Sequence, residues 1–434
     1  MACKEIFYSG SEDWPEIKDW LDLRKNPESK VDDIVREILA NVRKNGDSAL
    51  IEYTRKFDCP DFNESMMRVS LDQMSMAFAE VKNEDLEIIE ESIRNVRDFH
   101  RRQVEESWMT TKEDGTILGQ IVRPVDRVGL YVPGGQGGET PLISSMIMNA
   151  VPAQVAGVKE IAVISPPRKD GTLNPYIIAT AKELGINEVY VSGSAWAIAA
   201  LAYGTETIKP CDVIAGPGNV FVATAKSQLV GEVGIDMIAG PSEIAIIADS
   251  SANPIWTAAD MLSQAEHDPL ASSILITDNE ALAEKVTEEL SLQASRLPRG
   301  EIALKSLAAW GAIVTVNSMN AAIDLVNRIA PEHLELSVSD PWSILGRISH
   351  AGAIFMGHHC PEPVGDYFAG PNHVLPTVGT ARFSSALSVE TFCKKSSLIY
   401  TDKNYVTRHG AKIARMARLE GLEAHARSIE SRYK

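Results

Sequence analysis

The sequence predicts an α/β protein built as two parallel-sheet halves with helical segments at both ends. Three observations carry this. From about residue 117, short β-rich runs alternate with helical stretches, the signature of parallel strands joined by helical crossovers. The alternation falls into two sets, one ending near residue 249 and one running from about 260 to 357. The first hundred residues and the C-terminal segment have helical periodicity instead.

The chain has 434 residues, enough for two to four domains with sizeable cores. A hydrophobic content of 44% and a charged content of 23% are ordinary for a soluble enzyme. The formal net charge of -17 argues against a nucleic-acid footprint, which needs a basic stripe. It leaves room for an anionic nucleotide, because backbone amides at helix N-termini bind phosphate without Lys or Arg. The basic C-terminal residues, among them Arg408, Lys412, Arg415, Arg418 and Arg427, are interleaved with acids and fit a solvated or packed helix. Five scattered cysteines without a CxxC pair suit reduced thiols. The N-terminus lacks the features of a signal or transit peptide, and no apolar run reaches membrane-span length. A soluble, cytoplasmic protein is expected, with no membrane and no nucleic-acid partner.

In chain order, residues 31 to 57 carry apolar positions at Val31, Ile34, Ile38, Leu39 and Val42, then Leu50, Ile51 and Tyr53 after a break at Gly46. A second amphipathic run covers about 71 to 104 and contains His100, for which a surface role is expected. Residues 117 to 132 read as two short strands around Pro124. Then comes Tyr131-Val-Pro-Gly-Gly-Gln-Gly-Gly-Glu-Thr-Pro141, a glycine-rich loop between a strand and a helix reaching Ala156. Such a loop suits an anion or a closely approaching ligand, although it is not a GxGxxG fingerprint. Strands follow at 160–165, 188–192, 212–215 and 243–249, with helices at 175–184, 195–203 and 220–230. Gly216-Pro-Gly-Asn219 stands at a strand's carboxyl end, where open α/β sheets bind ligands and where a plain βα turn would also stand. The second set has strands at 273–277, 311–316 and 352–357 with helices at 278–296 and 318–329.

Several stretches hold groups capable of chemistry. In Asp260-Met-Leu-Ser-Gln-Ala-Glu-His-Asp-Pro269, a helical pattern puts Gln264 and His267 on one face. An imidazole is a good zinc ligand and an amide oxygen an uncommon one, but such a pair near a helix end also fits a solvated face or a cap. Ala330-Pro-Glu-His-Leu-Glu335 places Glu332 beside His333. Histidine is the best general base near neutral pH, yet neighbours on an extended segment point to opposite sides, so the pair is not automatically a dyad. In His358-His-Cys-Pro-Glu-Pro-Val-Gly-Asp366, the His-His-Cys trio reads as loop or packing, whereas Glu362 and Asp366 at i, i+4 in a Gly/Pro loop are better placed as oxygen ligands. Glu420 and His425 near the C-terminus read locally as solvent-exposed.

Taken together, these stretches resemble the histidinol dehydrogenase family from about residue 30 to the C-terminus. The matching motifs are Tyr-Val-Pro-Gly-Gly at 131, Gly-Pro-Gly-Asn at 216, Ala-Gly-Pro-Ser-Glu at 239 and Ser-Gln-Ala-Glu-His at 263. Pro-Glu-His-Leu at 331, Gly-Asp-Tyr at 365 and Gly-Pro-Asn-His-Val-Leu-Pro-Thr at 370 complete the series. The resemblance implies an aldehyde-dehydrogenase-like superfold of two Rossmann-like domains. It implies an N-terminal arm at 1–30, a first domain of 31–130 plus 243–381 with the catalytic residues, an NAD-side domain at 131–242, and a C-terminal helical arm at 382–434 that reaches the partner subunit's site. It implies two NAD-linked oxidations of L-histidinol, through L-histidinal, to L-histidine, in a homodimer with one zinc per subunit.

By the same resemblance, Gln264, His267, Asp366 and His425 are zinc ligands, and Glu332 and His333 are the acid/base residues. Ser242, Glu362 and Glu420 join Gln264, His267, His333, Asp366 and His425 in contacting substrate, and Tyr131 and Asn219 contact NAD. Two departures from the family pattern stand out. The loop after Gly135 is a few residues longer, and Trp196 replaces a glutamine expected to contact NAD. An indole can stack but offers no amide oxygen. The runner-up is a paralogous zinc- and NAD-dependent dehydrogenase of another small alcohol, such as a sulfonated diol.

Overall fold

The computed structural model describes residues 3–24 and 30–433. Two all-parallel sheets form its body. The six-stranded sheet runs, edge to edge, Lys4–Tyr8, Gly311–Val316, Ser272–Thr277, Glu243–Ala248, His333–Ser337 and Ala353–Met356. The five-stranded sheet runs Glu188–Val191, Glu160–Ser165, Arg127–Tyr131, Val213–Ala215 and Gly234–Ile235. Leaving aside the added edge strand Lys4–Tyr8, each sheet starts in its middle, grows to one side, then crosses back. That order creates a switch point beside the first strand, the customary ligand crevice of open α/β sheets. Central strands such as Glu243–Ala248 are buried along their whole length, which is why they read as continuous apolar runs.

The N-terminal helices belong to the five-stranded sheet by packing. Residues 31–100, which the sequence reading groups with the 243–381 segment, share a buried core with that sheet: Val35, Leu39, Leu50, Ile89 and Val96 pack with Leu130, Ile164 and Ile214. The helix Lys30–Phe57 is broken at Gly46, whose φ of 51° is left-handed. A Cβ there would lie 2.2 Å from the Glu206 carboxylate, and that carboxylate accepts from the Asp47 amide at 2.8 Å. The stretch 71–104 is two α-helices, Leu71–Glu80 and Asn83–His100, the first entered through a Ser70/Gln73 capping box.

The surface role expected for His100 is wrong. Its ring is fully buried. Nδ1 donates to the Val96 carbonyl at 2.7 Å, and Nε2 faces the Asn372 amide at 3.3 Å. Burial lowers its pKa, so the neutral ring ties a helix end to the 370–379 loop.

The two strands read around Pro124 lie in different sheets. Arg127–Tyr131 is the first strand of the five-stranded sheet, whereas Ile117–Pro124 pairs antiparallel with Trp108–Thr111 and Cys393–Tyr400. The C-terminal arm therefore begins with a strand before its helices Lys403–Leu419 and Glu423–Glu430. The N-terminal strand Lys4–Tyr8 and the helix Trp14–Asp22 extend the six-stranded half. Among the described residues, no helix is long and apolar enough to cross a membrane.

Candidate active site

The chemistry-bearing groups converge at the amino end of the six-stranded sheet. His333 opens its strand and is 3% exposed. Its Nδ1 lies 3.0 Å from the Glu243 carbonyl, which can only accept, so the proton sits on Nδ1 and Nε2 carries the lone pair. Nε2 is buried with no hydrogen-bond partner. It faces Asp366 Oδ1 at 3.8 Å and Glu362 Oε1 at 4.0 Å. Burial lowers the pKa of His333, and Glu362 opposes that shift. A neutral imidazole aimed into a cluster of acids is a base ready for a proton.

Glu332 precedes the strand, so the side-to-side alternation of strand residues does not separate it from His333. Its Oε2 accepts from the Glu243 amide at 2.9 Å and lies 3.8 Å from His333 Nδ1, too far for a hydrogen bond. Burial raises its carboxyl pKa well above the usual range. The two neighbours therefore share a site without being a dyad.

Glu362 and Asp366 are brought together by a helix, not by the loop expected from the Gly and Pro content. Glu362–Tyr367 is a short helix opened by Pro361 and Pro363, and its i, i+4 spacing places the two acids on one face. Burial and the adjoining Glu362 push the Asp366 carboxyl up. His333, Glu362 and Asp366 form a set whose ligand atoms lie within 4.8 Å of one another, close enough to hold a cation.

Gln264 sits in the last turn of the helix Pro254–Ala265, which starts at Pro254 under an Asn253 cap. It is 1% exposed, and both its amide oxygen and its amide nitrogen lack partners. An unsatisfied buried amide is costly, which fits an oxygen that awaits a cation. His267 lies in the turn just beyond the helix end, its amide donating to the Gln264 carbonyl at 3.2 Å, and it is exposed. It is near enough to disfavour protonation of His333 and His373.

Comparison with known proteins identifies the family. The histidinol dehydrogenase family profile matches residues 22–433. The chain belongs to the histidinol dehydrogenase family. It is 63% identical to the histidinol dehydrogenase of Oleidesulfovibrio alaskensis over 432 residues, covering 100% of both chains. It is 54% identical to that of Geobacillus kaustophilus over 419 residues, 96% of this chain and 98% of the relative. The crystal structure of histidinol dehydrogenase from Elizabethkingia anophelis superposes with a TM-score of 0.92 at 35% identity, covering 99% of this chain and 98% of that one.

Within this histidinol dehydrogenase fold, the remaining expected positions fall into three places. Ser242 immediately precedes the strand Glu243–Ala248, on the His333 side. Tyr131 and Asn219 stand at the carboxyl end of the other sheet. The buried Tyr131 hydroxyl accepts from the Ser194 amide at 3.2 Å, and burial raises it to about 12. Asn219 caps its helix, with Oδ1 accepting from the Phe221 and Val222 amides. Glu420 and His425 are exposed on the C-terminal arm, and neither belongs to the cluster formed around His333 in one chain.

Four residues at this site escaped the sequence reading. His373 places Nδ1 3.9 Å from Asp366 Oδ2, and burial lowers it to about 4. Its Gly-Pro-Asn-His motif was legible as part of the family resemblance, without a role for the histidine. Glu335 is buried two residues beyond His333, and its Oε1 accepts from the Glu362 amide at 2.8 Å. The i, i+2 spacing on a strand was the available signal. Asp260, one turn before Gln264, hydrogen bonds Glu335; burial raises the pKa of both carboxyls. Arg24 reaches from the N-terminal segment to pair with buried Glu243 at 2.8 Å and to donate to the Ser242 carbonyl at 3.2 Å. Nothing in the local sequence announces that contact.

Proposed function

We propose that the chain oxidises L-histidinol to L-histidine in two successive NAD-linked steps, with L-histidinal as the intermediate. The observation that carries this reading is the free, buried Nε2 of His333, set among acids in a chain that matches the histidinol dehydrogenase family from end to end. His333 takes the alcohol proton as hydride leaves the carbinol carbon. The Glu243 carbonyl holds the ring in the tautomer that can do so. Glu332 then serves the water that adds to the aldehyde, accepting its proton before the second hydride leaves. Burial raises the Glu332 carboxyl, which makes its carboxylate a stronger base than an exposed one. Ser242, Glu362 and Glu420 read the cationic, nitrogen-rich substrate.

Gln264, His267 and Asp366, with His425 of the partner subunit, would hold a zinc ion. The partnerless amide of Gln264 and the crowded carboxylates beside it fit a cation. When bound, zinc would fix the substrate's nitrogens, and NAD at Tyr131 and Asn219 would accept the hydride. His333 is left off the ligand set because its lone pair is needed for the proton. The exposed place of His425 supports a homodimer in which each arm completes the other subunit's site. Retention of Glu362, Glu420 and His425 favours histidinol over a diol, which has no nitrogen for them to read. The test is NADH formation from L-histidinol, NAD and zinc, at about two NADH per substrate consumed, one per two-electron step. No absorbance rise with purified, zinc-loaded protein overturns the proposal.

A further inference from the structure

Both polar groups of the Glu243 backbone are spent on the proposed acid and base. The amide donates to Glu332 Oε2 at 2.9 Å, and the carbonyl accepts from His333 Nδ1 at 3.0 Å. The position of this one residue therefore sets the tautomer of His333 and the aim of Glu332. Glu243 is the first residue of its strand, and residues 237–242, which lead into it, belong to no helix or strand. Such a segment is held by the side chains that reach it.

Arg24 reaches it. The side chain comes from the N-terminal segment, is 3% exposed and makes four hydrogen bonds. Nη1 donates to Glu243 Oε2 at 2.8 Å, Nη2 to the Pro241 and Ser242 carbonyls at 3.2 Å each, and Nε to the Leu270 carbonyl at 3.1 Å. Neutralising the buried Glu243 carboxylate needs only the first of these. The other three clamp the chain entering the strand and the chain leading to its neighbour, Ser272–Thr277. They use a rigid planar fork that an ammonium group cannot copy.

The second carboxylate oxygen of Glu243 extends the clamp to another wall of the site. Oε1 accepts from the Val378 amide at 3.0 Å. Val378 has a φ of 55°, left-handed and rare for a β-branched residue, and Ala330, two residues before Glu332, has a φ of 53°. Backbone strain of this kind persists only where the surroundings over-determine it. Val378 lies in the 370–379 loop that brings His373 up to Asp366.

We propose that Arg24 is a positioning residue for the oxidation: through Glu243 it fixes the peptide groups that hold His333 and Glu332, and so acts on rate rather than on affinity for substrate or zinc. The inference rests on the acid/base roles proposed above and adds to them a residue that acts only through Glu243.

The test is the first-turnover rate of NADH formation from L-histidinol by the full-length, zinc-loaded enzyme, with KM, zinc content and melting temperature measured alongside. Arg24→Lys keeps a charge opposite Glu243 and loses the fork. Arg24→Met combined with Glu243→Gln removes both charges, so that neither is left buried alone. Each should lose about ten- to a hundred-fold in rate, the scale of a misplaced reacting group. Zinc content and the KM for histidinol and NAD should stay within about two-fold of wild type, the mark of an interaction that matters only in the transition state. In a His333→Asn background, Arg24→Lys should cost little further rate in the first oxidation, because the two act as a unit. A wild-type rate in either variant, whatever its melting temperature, shows the pair to be structural and overturns the inference. Additive losses with His333→Asn, or a loss of rate that follows zinc content or KM, overturn it as well. A wild-type enzyme that forms no NADH from histidinol would instead overturn the functional reading on which it rests.

Discussion

The role proposed for His333 rests on three surroundings rather than on its neighbour in sequence. The Glu243 carbonyl fixes the tautomer at 3.0 Å, burial keeps the ring neutral, and two carboxylates face the open nitrogen. Asn in its place keeps a polar group but no base. His333→Asn should lower the rate of the first oxidation by about 10²-fold or more, the usual worth of a positioned general base. Glu332→Gln should spare aldehyde formation and slow its further oxidation, measured by supplying histidinal directly. Equal loss of both steps in Glu332→Gln would contradict the division of labour. At this scale the sequence was informative about identities and poor about partners. Pro-Glu-His-Leu pointed to the acid and the base proposed above, but the Glu243 carbonyl that sets the tautomer comes from a strand 90 residues away. Gln264 and His267 read as a helical pair from their spacing; the helix itself ends at Ala265, and His267 stands in the turn beyond it, exposed where Gln264 is buried.

At the scale of elements, the cofactor-side crevice depends on one turn. Gly216 has a φ of 120°, and a Cβ there would lie 2.0 Å from the Tyr131 carbonyl oxygen, so the turn and the Tyr131 loop touch through bare backbone. A buried ion pair, Lys226 with Asp236, holds both polar groups of Gly216: Lys226 Nζ donates to its carbonyl at 3.0 Å, and Asp236 Oδ2 accepts from its amide at 2.9 Å. Lys226→Met leaves Asp236 buried and uncompensated, a cost of about 3–5 kcal/mol. The melting temperature should fall by roughly 5–15 °C on that account. The double variant Lys226→Met with Asp236→Asn removes the stranded charge and should regain most of that stability while the KM for NAD stays raised. A double variant with wild-type KM would show the pair to be structural only. The strand–turn–helix rhythm around Gly216 was legible from composition, and the α/β class with it. What periodicity could not convey was which sheet a strand joins. Ile117–Pro124 and Arg127–Tyr131 are two residues apart and lie in different sheets, because pairing partners come from residues 393–400 in one case and 160–165 in the other.

For the whole molecule, the decisive feature is an arm without a core of its own. Ile399, Met416, Leu419 and Leu422 are exposed on it, Met416 and Leu419 at 65% and 69%. Exposed apolar side chains on such an arm offer a surface that a partner can cover. In the dimer proposed above, the covering subunit is also the one whose site receives Glu420 and His425, so burial of the arm and completion of the site are the same event. This makes complementation a direct test. His333→Asn removes the base from one wall of the site, and His425→Asn removes the ligand delivered by the arm. Neither homodimer should turn over histidinol at an appreciable rate. Unfolding and refolding the two together gives heterodimers in about half of the population, each with one site built from the intact wall of one chain and the intact arm of the other. The mixture should therefore recover about a quarter of wild-type activity, with zinc content measured in parallel. If each chain completed its own site, every site in the mixture would carry one of the two lesions and no activity would return. Activity recovery after co-refolding, set against the same variants refolded separately, decides between the two arrangements.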